Sequence, residues 1–350
     1  MALDDVGGWS GVLGALAAGE DLSSGTARRV MEEMLAGLAT PAQMAAVIVA
    51  LRVKGESVEE ITGMVEAMLD AAEPCELGAD AVDIVGVGGS PARRVAALNV
   101  STMASFVVAG AGVPVCKHGN RRASSTSGSF DLLEALGVVV ELPTSAVPTC
   151  VQQVGLGFCF ARAFHPAMRH VAPVRAELGI PTVFNVLGPL ANPGRVTRQV
   201  IGVADHSLGE RMIEVLAARG SARSMIVTGA GNLDELTTTG TSQVLELRDG
   251  QIRRHTVDPG ALGLQVVDAD ALHGGDATAN AAIAHRVFAG EDLPARHIVA
   301  LNAAAGLLVG GAVDDLAGGL EQAYASLDQG RAAAKVAELA ELTTKLAASA

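Results

Sequence analysis

The densest set of reactive side chains runs from Lys117 to Ser129, KHGNRRASSTSGS. Three cations, one histidine, one asparagine and five hydroxyl residues lie within thirteen positions. The chain as a whole is acidic, with 25 Lys and Arg against 38 Asp and Glu and a net charge of −13. A local concentration of cations and hydroxyls in such a background points to an anion-binding site. The bland alternative is a solvated, Ser-rich loop leading into a helix over 129–136, but it leaves the apolar strand that delivers the chain to Lys117 unexplained. Just upstream, Asn99-Val100-Ser101-Thr102 opens a helix, where hydroxyls can cap the first turn and face an anion or a metal.

Three further clusters add to this. Gly86-Val87-Gly88-Gly89-Ser90 follows a short strand, and such a loop lets backbone N–H groups approach a phosphate. It is not a Walker A loop, because no Gly-Lys-Ser/Thr closes it, and Pro91 spoils a dinucleotide fingerprint. A plain structural turn remains open for it. The segment from Phe164 to Arg175, FHPAMRHVAPVR, interleaves His165, His170, Arg169 and Arg175 with apolar residues. That suits a pocket for a flat organic acid, with Arg175 as a fork for its carboxylate; the alternative is a surface helix with ordinary charges. Asp234 and Glu235 are adjacent carboxylates after a strand, a pair that suits Mg²⁺ or an ordinary surface.

The elements that must position these groups change along the chain. The 350 residues are 49% hydrophobic but only 3% aromatic, which predicts a large aliphatic core and excludes disorder. Residues 1–73 read as a small helical domain. Its signals are Ser23-Ser24 as a cap, Gly37 as a stop, and Thr40-Pro41 starting a helix with apolar positions Met44, Val47, Ile48 and Leu51. From 80 to 350, short apolar strands alternate with helical patterns, which predicts an α/β domain with a mixed, mainly parallel sheet. Strands are expected over 81–89, 113–115, 138–142, 182–185, 199–203 and 224–228, with helices over 102–111, 129–136 and 208–219. A hairpin is expected at 243–256 around Asp249-Gly250, and a helical tail from 279 onward.

Composition excludes other classes. An acidic chain is a poor general nucleic-acid binder. The longest low-charge run, 98–116, is broken by polar residues, Gly and Pro, so no membrane span is expected. The acidic N-terminus does not read as a signal peptide. Cys75, Cys116, Cys150 and Cys159 are far apart without a CxxC, which argues against zinc and a disulfide scaffold and fits free thiols in the cytoplasm.

Taken together and in order, these stretches resemble the anthranilate phosphoribosyltransferase family of tryptophan biosynthesis. The resemblance spans almost the whole chain and is carried by KHGN, HPAM…APVR…LGPLANP, LDELTTTGTS, GGDATANAAIA and LNAAAGLLVGG. It implies a helical domain, with a possible later contribution around 165–190, on an α/β domain like that of pyrimidine nucleoside phosphorylases. It also implies a homodimer through the N-terminal helices. The implied reaction moves the 5-phosphoribosyl group of phosphoribosyl pyrophosphate onto the amine of anthranilate, with Mg²⁺.

By motif, the resemblance implies that Gly86, Gly88 and Gly89 line the pyrophosphate and ribose. Asn99, Ser101 and Thr102 would hold the donor, with Ser101 also on a metal. Lys117, Ser125 and Ser129 would grip donor phosphates. Asn120 and Arg175 would bind the aromatic acid, His118 and His165 would line its path, and Asp234 and Glu235 would bind Mg²⁺. Lys117, Arg175 and His118 are the expected catalytic residues, His118 for late proton removal. The first loop departs from the family pattern at Val87, Ser90 and Ala97 and carries an insertion, Pro91-Ala92-Arg93-Arg94. The two arginines are candidates for part of the metal's work on the donor. The departures keep open a paralogue acting on another aromatic acid and a non-catalytic ligand-binding protein; the implied fold adds a nucleoside phosphorylase, against which the helical-domain sequence and the APVR segment argue.

Overall fold

The computed structural model describes residues 3–78, 80–88, 98–121 and 126–349. Four helices come first: α1 (Gly8–Ala17), α2 (Ser24–Leu35), α3 (Pro41–Lys54) and α4 (Val58–Asp70). Their starts follow from local chemistry. The Ser23 hydroxyl accepts from Thr26 N at 3.2 Å. Thr40 and Gln43, and again Ser57 and Glu60, form reciprocal capping boxes that satisfy donors the helix cannot. Glu60 does more than cap. Fully buried, it also accepts from Leu22 N at 2.9 Å and from Lys54 Nζ at 3.0 Å, tying α3, α4 and the segment that enters α2 at one carboxylate.

The strands are β1 (Val82–Gly86), β2 (Val115–Gly119), β3 (Leu156–Phe160), β4 (Arg198–Gly202), β5 (Arg223–Thr228), β6 (Ser242–Arg248) and β7 (Gln251–Val257). Among the described residues they form one sheet in the order β3-β2-β1-β4-β5-β6-β7. The first five of that order are parallel, and β6 and β7 are antiparallel. The sheet is thus mixed and mainly parallel, as the alternating pattern predicts. Asp249 and Gly250 both take positive φ, 52° and 72°, which matches the twist of a two-residue hairpin.

Between and after the strands run α5 (Val100–Gly110), α6 (Ser129–Ala135), α7 (Ala146–Val154), α8 (Ala161–Phe164), α9 (Ala172–Leu178), α10 (Val183–Leu190), α11 (His206–Ala218), α12 (Ala277–Phe288), α13 (Pro294–Gly310), α14 (Leu316–Asp328) and α15 (Arg331–Ala348). The sheet is covered on both faces, and its strands sort side chains by period two. Met225 and Val227 join the core built with α5 and α13, while Ile226 joins the core shared with α4, α10 and α11. Val171, Val174, Val183, Phe184 and Leu187 lie in that second core with Val30, Met34, Ile48 and Met64 of the helical bundle. Helix α13 lies close to β1 and α5: a Cβ on Gly306 would stand 2.7 Å from Ile84 and 2.8 Å from Val108.

Three local expectations change. The segment 138–142 is not a strand: it runs beside α15, where Val139 N donates to the Thr343 hydroxyl at 3.1 Å instead of to a neighbouring strand. Residues 182–185 open α10, because Asn185 Oδ1 accepts from Thr182 N at 3.0 Å and so caps a helix start. Strand β3, LGFCF, is absent from the expected set and forms the edge of the sheet.

Candidate functional site

The sheet has a topological switch between β1 and β4: β1 feeds α5 and then β2 on one side, and β4 pairs on the other, Gly86 opposite Gly202. Crevices outside the carboxyl ends of strands at such points are where open α/β sheets bind ligands. Gly86, Gly88, Asn99, Ser101, Thr102, Lys117, His118, Asn120, Ser129, Asp234 and Glu235 all follow or end strands on this side or start the helices that follow them. Gly89, Ser90, the insertion with Arg93 and Arg94, Ala97 and Ser125 lie outside the described residues.

The acidic loop fills the crevice floor. Asp234 and Glu235 are buried, and Gly88 N donates to Asp234 Oδ2 at 3.0 Å. The two strand-ending glycines make room for it. A Cβ on Gly86 would stand 2.6 Å from Asp234 Oδ2, and one on Gly202 would stand 1.7 Å from the Asp234 carbonyl oxygen. Gly88 itself has φ +73°, a conformation that costs other residues energy. From the opposite layer, Asn302 of α13 accepts from Leu236 N at 3.1 Å and donates to Leu236 O at 2.8 Å, clamping the loop one residue past the carboxylates. Two carboxylates and a nearby hydroxyl helix start are hard oxygen donors, the set that suits Mg²⁺.

Helix α5 points its first turn into the same region. Asn99 does not cap it with its own side chain. Its Nδ2 donates to Ser127 O at 3.3 Å, and its Oδ1 accepts from Asn280 Nδ2 at 2.7 Å. Asn99 therefore ties the α5 start to the Ser-rich loop and to α12, while the helix N–H groups face the crevice, a ready anion site. Thr102 is buried and Ser101 partly exposed.

Lys117 is buried, and its Nζ donates to Ile84 O at 2.5 Å, under the glycine loop rather than out in solvent. Its neighbour Asp83 is wholly buried; burial raises that carboxyl to about 6, against the pull of Lys117. Asp83 also accepts from Asn192 Nδ2 at 2.8 Å and His118 N at 3.2 Å. Ser129 Oγ donates to Asn120 O at 3.1 Å, fixing the turn after β2. Arg121 departs from the expected anion cluster: it forks Glu134 at 2.6 and 2.9 Å and reaches Glu141 at 2.9 Å, outward and exposed.

A second pocket wall lies where the sheet meets the helical bundle. The His118 and His165 rings stand 5.2 Å apart. His118 Nδ1 faces Gly188 O at 2.9 Å; a carbonyl only accepts, so Nδ1 carries the proton. His118 Nε2 is then a lone pair, buried and without a hydrogen-bond partner among the described residues. Burial, aided by His165, holds His118 at about 3, so the ring is neutral at pH 7. Burial also lowers His165, against the carbonyls of Ala191 and Met68. One turn before Gly188 on α10, Phe184 carries the Arg175 guanidinium 4.9 Å over its ring. Arg175 has no carboxylate partner among the described residues, and burial lowers its pKa without removing its charge. His170, by contrast, packs against Gly37 of the helical bundle.

Asp83, Asn192, Gly202, Asn280 and Asn302 position this site; the three asparagines lie in stretches that carry the resemblance, but none of the five is among the expected site residues. The available signal is polarity out of place: lone asparagines in the Ala-rich stretches ATANAAIA and LNAAAG, and an acid inside an apolar strand.

Comparison with known proteins agrees with this geometry. The helical bundle domain of the glycosyl transferase family matches residues 10–72, and the a/b domain of that family matches residues 78–333. The anthranilate phosphoribosyltransferase of Rhodococcus jostii (strain RHA1) is 49% identical over 347 residues, 97% of this chain and 95% of that protein. That of Arthrobacter sp. (strain FB24) is 48% identical over 341 residues, 96% of each chain. The crystal structure of the Thermus thermophilus enzyme superposes with a TM-score of 0.89 at 41% identity, covering 95% of this chain and 99% of that one. The Saccharomyces cerevisiae enzyme in complex with PRPP and Mg superposes with a TM-score of 0.86 at 26% identity, covering 96% and 98%. These matches do not favour the paralogue, phosphorylase or non-catalytic alternatives. With two domains, a switch-point crevice and full-length likeness in agreement, the chain belongs to the anthranilate phosphoribosyltransferase family of glycosyltransferases.

Proposed function

We propose that the chain joins phosphoribosyl pyrophosphate to anthranilate in the crevice between β1, β4 and α10. The bond from C1 of the ribose to the pyrophosphate oxygen breaks, and its electron pair leaves with pyrophosphate. The amine lone pair forms the new N–C1 bond, and the surplus proton then leaves the nitrogen. An arylamine is neutral at pH 7, so positioning carries more of the work than a strong base.

On the donor side, Gly86 and Gly88 line the pyrophosphate and ribose, and the N–H groups of the α5 start, with Ser101, Thr102 and Ser129, bind phosphate and ribose oxygens; Gly89 and Ser125 belong to the same proposal. Lys117 holds the loop from below and adds positive charge where negative charge builds on the leaving group. Asp234, Glu235 and Ser101 would hold Mg²⁺, which, when bound, neutralises charge on pyrophosphate. On the acceptor side, Arg175 forks the carboxylate, Asn120 orients the ring, and His118 Nε2 accepts from the amine, with His165 completing the wall. A ring held at about 3 orients the amine and takes its proton only after the C–N bond has formed. The observation that carries this reading is Arg175, a charged fork stacked on Phe184 and unmatched by any described carboxylate.

The test is to mix purified protein, phosphoribosyl pyrophosphate, Mg²⁺ and anthranilate, and follow anthranilate fluorescence and pyrophosphate release together. Turnover on the order of 1 s⁻¹ or faster is expected. Pyrophosphate release without loss of anthranilate would overturn the acceptor assignment.

We also propose a homodimer through the N-terminal helices, supported by the exposed Leu38 (69%) and Val53 (82%) there. Sedimentation at micromolar concentration should give a dimer, and Val53→Glu should weaken it. Four buried free thiols support a cytoplasmic setting. No described helix is long and apolar enough to cross a membrane.

A further inference from the structure

Three of the four cysteines, 41 or more positions apart in the chain, meet in space. Cys75 lies on the segment between α4 and β1, Cys116 in β2 and Cys159 in β3. Cys116 Sγ and Cys159 Sγ are 3.4 Å apart, Cys75 Sγ and Cys159 Sγ 3.8 Å, and all three lie within 4.8 Å of one another. Thiolates sharing one ion at about 2.3 Å stand roughly 3.8–4 Å apart, so the trio is close to a ligand triangle already.

The surroundings select among ions. Ala81, Val147, Val151 and Phe164 pack around the sulfurs, and all three cysteines are buried. Among the described residues no fourth His, Cys, Asp or Glu joins the set. Structural Zn²⁺ sites take four ligands, whereas soft thiolate sets without a fourth donor suit a monovalent d¹⁰ ion.

A cleft lies beside the trio. A cleft of about 460 Å³ between the α4–β1 segment and the start of β4 is lined by Leu77, Ala81, Gly194, Arg195 and Val196. Gly194 forms its floor over the trio, since a Cβ there would stand 3.0 Å from Cys116 Sγ.

We propose that Cys75, Cys116 and Cys159 form a three-thiolate site for a soft monovalent cation, Cu(I) in preference to Zn(II), reached through this cleft. Binding releases the thiol protons to solvent and changes no oxidation state. The ion would cross-link the α4–β1 segment to β2 and β3, one residue before Lys117 and two before His118.

The experiment titrates reduced, full-length protein with Cu(I) under argon, in competition with a chromophoric Cu(I) chelator. One Cu(I) per chain and a thiolate-to-copper absorption band are expected. Cys75→Ser and Cys159→Ser should each weaken binding at least roughly a hundredfold, with folding checked by circular dichroism. Cys150→Ser, outside the trio, should change nothing. If Cys159→Ser does not fold, Cys75→Ser, on the connecting segment, decides alone. Three results would each overturn the proposal: a chelator that keeps all the copper, equal weakening in Cys150→Ser, or Zn(II) held as tightly as Cu(I).

Discussion

The two halves of the crevice are made of different material. The half at the β1–β4 switch is mainly backbone: glycines at strand ends, the first turn of α5, and an acidic loop clamped by Asn302. The half at α9 and α10 is side chains set in the apolar seam between sheet and helical bundle: two histidine rings 5.2 Å apart and tilted to each other, and an arginine lying on a phenylalanine. A pyrophosphate is recognised by many N–H groups at fixed positions, which backbone supplies. A flat acid needs a walled slot with one charged fork, which side chains supply. Damage to the first half should therefore act through shape, and damage to the second through chemistry.

The largest effect is expected at Gly202. In Gly202→Ala the new methyl meets the Asp234 carbonyl at 1.7 Å, and that contact is backbone, which cannot swing aside. The loop must move, and kcat/KM should fall by about a thousandfold, with Tm lowered, in assays and calorimetry. Retained activity would break the contrast at its strongest point.

Arg175→Lys comes next. It keeps the charge but loses the fork and the stacking on Phe184. The anthranilate KM should rise by roughly 10–100-fold, the loss of ~1–3 kcal/mol, with the donor KM unchanged.

The histidine wall predicts a pH effect on stability. His118 has a folded pKa of about 3, below its ordinary 6.5, so the unfolded chain binds the extra proton between those values. Its contribution is present above pH 6.5 and is lost as pH falls toward 3. Asp83, raised to about 6, works oppositely: its burial costs stability as pH rises from 3.8 to 6. Urea unfolding from pH 4 to 7 should show a steeper fall on acidification for wild type than for His118→Gln, which cannot take up that proton.

The smallest effect is expected at Arg121→Ala. Its ion pairs with Glu134 and Glu141 are exposed, and such pairs are worth about 0–1 kcal/mol, so both KM values should stay within a factor of two.

The same contrast explains what can be read from the chain. Capping pairs such as Thr40-Gln43 and Ser57-Glu60, and the Asp249-Gly250 turn, are local devices, visible as residue spacing. The glycine loop and acidic pair follow strands, so their place at carboxyl ends is legible from periodicity. The misreadings arise where residue type and role diverge. The β-branched runs at 138–142 and 182–185 look like strands, yet Thr343 satisfies one and Asn185 caps the other. LGFCF, without alternation, is too short to separate from a buried helix turn. Arg121 looks like an anion ligand because its partners lie thirteen and twenty residues away. The support from Asn280 and Asn302, and the meeting of the three cysteines, arise only when distant segments pack together.

The most direct test crosses the two halves. Steady-state KM values for phosphoribosyl pyrophosphate, Mg²⁺ and anthranilate are measured side by side for Asp234→Asn and Arg175→Lys. The account predicts that Asp234→Asn raises the donor and Mg²⁺ constants and leaves anthranilate unchanged, while Arg175→Lys does the reverse. If either substitution moves all three constants together, the division of the crevice into a backbone half for the donor and a side-chain half for the acceptor is wrong.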